Sequence, residues 1–192
     1  MAKLLEIRWH GRGGQGAKTA AQLLAEAASS VGKYIQGFPE YGPERMGAPV
    51  LAFTRISDEP IDVHCHVTEP QIVVVLDPTL LAKGDVTAGV PEDGIILINT
   101  DRTPAEMRRA MKLSGRKVYT VNASRIAEET IGRPIPNTPL MGALIKVTGI
   151  MNLDALLEDT QKKLSKKFAG RPEVVEGNLK AVRRAYEEVQ GE

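Results

Sequence analysis

The sequence contains a single cysteine, Cys65, in its 192 residues. One thiol cannot form an internal disulfide, and it cannot supply the roughly four thiolates that hold an iron–sulfur cluster. This chain alone therefore forms neither an internal disulfide nor a thiolate-bound iron–sulfur cluster.

The sequence also lacks a long apolar run and an excess of either charge. Glu6, Arg8 and His10 interrupt the N-terminal segment before a signal-peptide core could form, and no stretch approaches the ~20 apolar residues of a membrane span. The formal net charge is +1, so the chain has no overall electrostatic footprint for nucleic acid or for an anionic membrane. We therefore expect a cytoplasmic protein with neither of these partners.

The composition is that of a globular protein, with 42% hydrophobic and 26% charged residues. A chain of 192 residues can bury one sizeable core, which makes a single domain the expectation. We predict one domain over residues 1–192, with an α/β core over 1–150 and a helical C-terminal extension over 151–192.

A glycine-rich loop follows the first apolar segment. Residues 4–9 predict a strand, residues 11–16 read Gly-Arg-Gly-Gly-Gln-Gly, and residues 17–31 predict a helix with an alanine-rich buried face. Glycines leave the backbone N–H groups of such a turn uncovered, and the following helix adds its partial positive charge. Arg12 and Lys18 can reinforce that charge. We therefore interpret the loop as suited to an anion.

Three other interpretations use the same residues. The spacing G-x-G-x-x-G is that of a dinucleotide-binding turn in a free-standing enzyme, for which Glu40 is the nearby acidic candidate, although it follows Pro39 in a loop. The spacing is also close to a P-loop, but Ala17 separates Gly16 from Lys18 and turns the lysine by about 100° around the helix. In the third interpretation, the glycines bind nothing and only allow a tight turn. The residues leave the anion site and the tight turn both open.

The rest of the chain alternates strands and helices. Predicted strands occupy residues 34–38, 72–76, 94–99 and 117–121, and predicted helices occupy 104–113, 124–131 and 140–150. Residues 49–56 and 61–67 predict an antiparallel hairpin that turns at Asp58 and Pro60. Two amphipathic helices end the chain. This order predicts a three-layer α/β/α fold with a mixed, mostly parallel sheet, an antiparallel hairpin and a C-terminal helical tail.

Three segments resemble the gamma subunits of 2-oxoacid:ferredoxin oxidoreductases: EIRWHGRGGQGAKTAAQLLAEAA, FPEYGPERMGAPVLAFTRISDEPI and GRPIPNTPLMGALIKVTGI. The resemblance covers nearly all of residues 4–150 and is closer to the pyruvate or 2-oxoisovalerate branch than to the 2-oxoglutarate branch. It implies an accessory subunit, inactive alone, of a complex that oxidises pyruvate with coenzyme A to acetyl-CoA and carbon dioxide, passing electrons to ferredoxin. It also implies alpha-, beta- and delta-type partner subunits that hold thiamine diphosphate, magnesium and the iron–sulfur clusters.

The resemblance and the anion-suited loop together give a hypothesis for two groups of residues. The first group would contact coenzyme A and comprises Gly11, Arg12, Gly13, Gly14, Gln15 and Gly16. The second would order the following loop or contact the catalytic subunit and comprises Tyr41, Gly42, Pro43, Glu44, Arg45 and Gly47. Because Phe38, Tyr41 and Met46 are bulky and apolar, we expect that loop to be poorly ordered, or covered by a second copy in a homodimer, when the chain is isolated.

Two further patterns have simpler interpretations. On the predicted strand 61–67, His64 and His66 share one face and Cys65 points to the other, so too few ligands converge for zinc. Acidic residues interleave with the lysines and arginines of residues 162–184, which indicates solvated helix faces, with docking of an acidic ferredoxin as the alternative. We expect no metal ligand and no catalytic residue in this chain.

Overall fold

A computed structural model describes residues 4–40, 47–82 and 84–192. Its strands are β1 (Leu5–Arg12), β2 (Tyr34–Glu40), β3 (Pro49–Ser57), β4 (Ile72–Val75), β5 (Ile95–Asn99), β6 (Lys117–Val121) and β7 (Gln190–Gly191). Its α-helices are α1 (Ala17–Ser30), α2 (Pro104–Met111), α3 (Ala123–Ile131), α4 (Asn137–Thr148), α5 (Leu153–Lys167) and α6 (Pro172–Glu188).

All the strands join in one mixed sheet of order β2-β3-β1-β4-β5-β6-β7. Strands β1, β4, β5 and β6 pair in parallel. Strand β3 lies antiparallel between β1 and β2, and β7 is antiparallel to β6. Every strand except β3 and β7 therefore runs in the same direction, which confirms the predicted mixed, mostly parallel sheet.

Side chains alternate between two cores, one on each face of the sheet. Ile72 and Val74 belong to the larger core, which includes buried residues of α1, α3, α4, α5 and α6. Val73 and Val75 belong to a smaller core on the opposite face, completed by α2 and by a 3-10 turn over Pro78–Ala82. Strands buried on both faces read as continuous apolar runs, which is why β4 and β5 were predictable. The three-layer arrangement is confirmed.

Capping residues fix several helix ends. The Thr103 side chain accepts a hydrogen bond from the Glu106 backbone N–H, the Glu106 carboxylate accepts one from the Thr103 backbone N–H, and Pro104 occupies the first turn of α2. The side chain of Asn152 caps α5 in the same way. Gly149, with φ 65°, ends α4 in the left-handed conformation that glycine adopts without steric penalty.

The hairpin predicted over residues 49–56 and 61–67 does not form, because its first arm, β3, pairs antiparallel with β1 and β2 instead. Strand β3 is flanked by β1 and β2, so neither of its edges is available to residues 61–67, which form no strand. Instead, the buried guanidinium of Arg55 donates to the backbone carbonyls of Val63, at 3.1 Å, and Cys65, at 2.8 Å. One side chain thus satisfies carbonyls that a strand would have paired. The expectation that His64 and His66 share a strand face falls with it.

The two C-terminal helices pack into the larger core. Gly142 of α4 lies so close to α6 that an added Cβ would overlap the carbonyl oxygen of Val182. Gly177 of α6 lies equally close to the carbonyl oxygen of Thr130, at the end of α3. These glycines let the helix backbones approach closely. After α6, strand β7 pairs with β6 at the edge of the sheet.

Candidate functional site

The glycine-rich loop leaves the carboxyl end of β1 and enters α1. In parallel sheets this edge is where ligands bind, because the loops that leave neighbouring strands meet there. Strand β4 pairs with β1, and Asp77 follows the end of β4 at the same edge. The loop and Asp77 are therefore neighbours.

Backbone conformation and close packing explain the glycines of the loop. Gly14 and Gly16 have φ values of 98° and 82°, in the left-handed region that side chains rarely adopt. A Cβ on Gly16 would also lie 2.6 Å from Nδ2 of Asn137, at the start of α4. A Cβ on Gly11 would lie 3.1 Å from that of Ala17. The loop is a tight turn held against two helices.

Arg12 and Gln15 fasten the loop to Asp77. The Arg12 Nε lies 3.0 Å and the Gln15 Nε2 lies 2.9 Å from Oδ2 of Asp77. Arg12 also donates to Oγ1 of Thr79 at 2.8 Å and to the carbonyl oxygen of Gly47 at 3.1 Å. The Oε1 of Gln15 accepts from the backbone N–H of Arg12 at 2.8 Å. Both side chains therefore bind within the protein, and the residue that receives them, Asp77, was not predicted as part of the site.

The environment of Asp77 keeps its carboxylate charged. Burial alone would raise its pKa, but hydrogen bonds from Thr79 and Gln15 and the positive charge of Arg12 outweigh burial, so the pKa is lowered. The Oδ1 of Asp77 accepts from the Thr79 backbone N–H at 2.9 Å, while Oδ2 receives Arg12 and Gln15. The charge of Arg12 is thus partly neutralised inside the protein.

Backbone hydrogen bonds join the glycine loop to the residues just before β3. The N–H of Gly13 donates to the carbonyl of Ala48 at 2.9 Å, and the N–H of Gly47 donates to the carbonyl of Gly13 at 3.4 Å. Of the second predicted group, Gly47 is thereby placed beside the loop. The other five members lie outside the described residues: Tyr41, Gly42, Pro43, Glu44 and Arg45.

A cavity of about 460 Å³ opens beside Gly14 and Gly16. Its walls come from the first turns of α1, from the connection between α3 and α4, and from the turn between α5 and α6. Apolar side chains, among them Leu23, Ile135 and Phe168, alternate with polar groups such as Asn137. This volume is in the range of small-molecule sites. Sequence reasoning missed the far walls, because nothing in residues 131–178 alone indicates that they face the glycine loop.

The cavity is electropositive. Arg133, Lys163, Lys167 and Arg171 all line it. The first turn of α1 also lies at the cavity, and no side chain of the described residues caps that helix. Helix N-termini and cations both favour a negatively charged ligand.

The topology argues against the dinucleotide interpretation. In a dinucleotide-binding unit the acidic residue ends the strand that follows the first helix and lies beside β1. Here Glu40 does end β2, but β3 separates β2 from β1. The P-loop interpretation would need a carboxylate at the end of an apolar strand to hold magnesium. The residue in that position, Asp77, instead accepts hydrogen bonds from Arg12 and Gln15.

His10 precedes the loop on β1 and is held neutral. Burial and the neighbouring Arg8 charge lower its pKa to about 4. The Arg8 Nε donates to Nε2 of His10 at 2.9 Å, which requires that nitrogen to be unprotonated. His10 was not singled out as a site residue from the sequence.

Within the described ranges, no helix is both long and apolar enough to cross a bilayer. Those same ranges contain no cluster of three or more histidine, cysteine, aspartate or glutamate residues that could hold a metal ion.

Comparisons with known proteins agree along almost the whole chain. A family model described as pyruvate ferredoxin/flavodoxin oxidoreductase matches residues 6–188. Pyruvate synthase subunit PorC of Thermotoga maritima is 51% identical over 188 residues, covering 98% of this chain and 96% of that protein. The Pyrococcus abyssi common subunit gamma of pyruvate/ketoisovalerate oxidoreductases is 49% identical over 187 residues, covering 97% and 98%.

The crystal structure of pyruvate oxidoreductase subunit PORC from Thermotoga maritima has the same fold. It matches with a TM-score of 0.85 and 48% sequence identity, and the match covers 98% of each chain.

Proposed function

This chain belongs to the pyruvate ferredoxin/flavodoxin oxidoreductase family, and from that premise we propose that it is the gamma subunit of a pyruvate:ferredoxin oxidoreductase to which it contributes part of the coenzyme A site. In that complex, pyruvate and coenzyme A give acetyl-CoA and carbon dioxide, and two electrons pass to ferredoxin. The subunit has no activity alone and works in the cytoplasm with alpha-, beta- and delta-type subunits.

The division of labour follows from the cysteine count. A single cysteine cannot hold an iron–sulfur cluster, so the clusters belong to partner subunits. Thiamine diphosphate with magnesium, also on a partner, supplies the carbon chemistry of decarboxylation. This chain is left with binding and assembly.

The choice of 2-oxoacid lies outside this subunit. The Pyrococcus abyssi relative is named as common to pyruvate and ketoisovalerate oxidoreductases, so one gamma subunit serves two acids there. That observation favours a second candidate function, in which this chain is the gamma subunit of a 2-oxoisovalerate oxidoreductase. It would serve that enzyme either instead of the pyruvate enzyme or as well as it.

The cavity beside the glycine loop is the observation that carries the coenzyme A proposal. Coenzyme A has phosphate groups joined to an apolar and amide-containing arm, so its site needs anion-binding groups beside apolar walls. The cavity is lined by Gly14 and Gly16 at the start of α1, by cations, and by apolar side chains including Leu23 and Phe168. A helix N-terminus after a glycine turn is a common phosphate site.

In this proposal the residues of the loop have different roles. Gly14 and Gly16 present the backbone to phosphate, Gly13 joins the loop to the residues before β3 through its N–H, and Gly11 lets the loop pack against α1. Arg12 and Gln15 set the shape of the turn through Asp77, and Arg12 adds positive charge. The loop formed by Tyr41, Gly42, Pro43, Glu44, Arg45 and Gly47 contacts the catalytic subunit, and Gly47 ties it to Arg12.

The experiment compares Gly14→Ala with Gly32→Ala in the assembled complex. Both glycines are exposed, have positive φ values of 98° and 85°, and have open space around the new methyl group. Backbone strain is therefore similar, about 1 kcal/mol in each. Gly14 lines the cavity, whereas Gly32 lies beyond the far end of α1, about 21 Å away for a helix of 14 residues.

We expect Gly14→Ala to raise the Michaelis constant for coenzyme A several-fold, with that for pyruvate unchanged, because the methyl group and the altered turn displace phosphate-binding amides. Gly32→Ala should change neither constant. Equal constants for coenzyme A in both variants would remove the coenzyme A role and leave a scaffold that only completes the complex.

A further inference from the structure

Three cations around the cavity have no acidic partner among the residues that the structure describes. Lys163, the fourth, is neutralised, because its Nζ lies 2.6 Å from Oδ2 of Asp159 and 2.8 Å from Oε2 of Glu26. Arg133, Lys167 and Arg171 form no comparable ion pair within residues 4–40, 47–82 and 84–192. In a chain with a net charge of only +1, this is a concentration of uncompensated positive charge.

Two of the three cations converge on one aromatic ring. The Arg171 Cζ lies 5.3 Å and the Lys167 Nζ lies 5.6 Å from the centre of the Phe168 ring. Both distances are within the range of a cation–π interaction. The turn between α5 and α6 thus places two positive charges around one aromatic ring at the cavity wall.

These cations and the glycine loop line the same cavity but offer different chemistry. The loop presents neutral backbone N–H groups beside a helix N-terminus, whereas Arg133, Lys167 and Arg171 present full charges. A phosphate monoester carries nearly two negative charges at neutral pH, and arginine binds it through charge-assisted, often bidentate hydrogen bonds. A pyrophosphate bridge, with its charge spread over two groups, suits the amides of a glycine turn.

We propose that Arg133, Lys167 and Arg171 form a second anion subsite that binds the 3′-phosphate of coenzyme A, while the glycine loop binds the pyrophosphate. This inference rests on the coenzyme A role proposed above and deepens it, because it makes these cations the determinants that distinguish coenzyme A from 3′-dephospho-coenzyme A.

The test measures steady-state constants for both compounds in the assembled complex, with wild-type chain and with Arg171→Ala, Lys167→Ala and Lys180→Ala. Lys180 is an exposed cation of α6 that does not line the cavity, so its variant controls for the loss of one positive charge. Arg171→Lys keeps the charge. Melting temperature and gel filtration verify that each variant folds and assembles.

Wild-type complex should prefer coenzyme A, and Arg171→Ala should raise the Michaelis constant for coenzyme A by roughly tenfold to a hundredfold, which matches the loss of one charged hydrogen bond. The constant for 3′-dephospho-coenzyme A and the turnover number should not change, so the preference shrinks. Lys167→Ala should act in the same direction, Arg171→Lys should restore part of the preference, and Lys180→Ala should leave it intact.

The inference is overturned if wild-type complex treats the two compounds alike, or if Arg171→Ala raises both constants equally or weakens only assembly. Different results would overturn the proposed function and this inference. If Gly14→Ala raises the constant for coenzyme A while Arg171→Ala preserves the preference, the coenzyme A role stands and the 3′-phosphate subsite does not.

Discussion

At the residue scale, buried polar groups are almost always satisfied, and this makes one exception informative. Thr160 of α5 is 1% exposed, and among the described residues its Oγ1 is the buried side-chain atom left without a hydrogen-bond partner. By contrast, Thr130 of α3 donates from Oγ1 to the carbonyl of Ile126 at 2.7 Å. Burying an unpaired hydroxyl destabilises a fold, whereas a methyl group of the same shape does not.

Thr160→Val should therefore increase the free energy of unfolding by about 1 kcal/mol, because it replaces the unpaired hydroxyl with an isosteric methyl group. Thr130→Val removes a hydrogen bond that is made, so it should be neutral or destabilising. Urea denaturation of both variants gives the comparison. A destabilised Thr160→Val chain would indicate that the hydroxyl has a partner after all.

At the element scale, the approach of α4 to α6 depends on a missing side chain. Alanine favours a helix over glycine by about 1 kcal/mol, so Gly142→Ala would stabilise an isolated α4. In the folded chain the added methyl group would overlap the carbonyl oxygen of Val182 and force the helices apart. Overpacking of this kind outweighs the gain in propensity.

We expect Gly142→Ala to lower the free energy of unfolding by about 2 kcal/mol, seen as a lower melting temperature. Gly84→Ala is a control without overpacking, since a Cβ there meets nothing within 4 Å. That variant should melt at or slightly above the wild-type temperature. A tolerated Gly142→Ala would mean that the two helices are less tightly packed.

At the scale of the whole molecule, the sequence predicted those parts of the fold that carry a local signal. Continuous apolar runs predicted β4 and β5, and a glycine turn between strand and helix predicted the start of α1. The second hairpin arm failed because strand pairing is decided by distant partners: β3 already had β1 and β2 on its edges. The two-residue strand β7 has too little sequence to show any alternation.

The candidate site divides in the same way. The loop Gly11 to Gly16 was predictable because four glycines fall within six consecutive residues. Asp77 and Asn137 were not, since only folding brings them beside Gln15 and Gly16. Cations such as Arg171 were visible in the sequence as helix-surface charges, and nothing local indicated which of them line a cavity.

The stability of the isolated chain should depend on pH through His10. Burial and the Arg8 charge lower the pKa of His10 from 6.5 to about 4 in the folded state. Between these values the unfolded chain binds the proton and the folded chain does not, so this contribution is complete above about pH 6.5 and is lost as the pH falls towards 4. We expect a loss of about 2 kcal/mol between pH 7 and pH 4.5, allowing for partial exposure.

His10→Gln removes the titrating group while keeping an acceptor for Arg8. Its free energy of unfolding, measured by urea denaturation, should fall less than that of wild type over the same pH range. Titration of carboxylates such as Asp77 is common to both chains and cancels in the difference. Parallel pH profiles would show that folding does not lower the pKa of His10.

The walls of the cavity are drawn from residues far apart in sequence, with Gly14 near one end and Arg171 and Asn178 near the other. During translation, the amino-terminal wall leaves the ribosome when its counterpart has not yet been made. The cavity is consequently incomplete on a nascent chain that stops before α6. A ligand can stabilise the fold by binding there only after that helix has been synthesised.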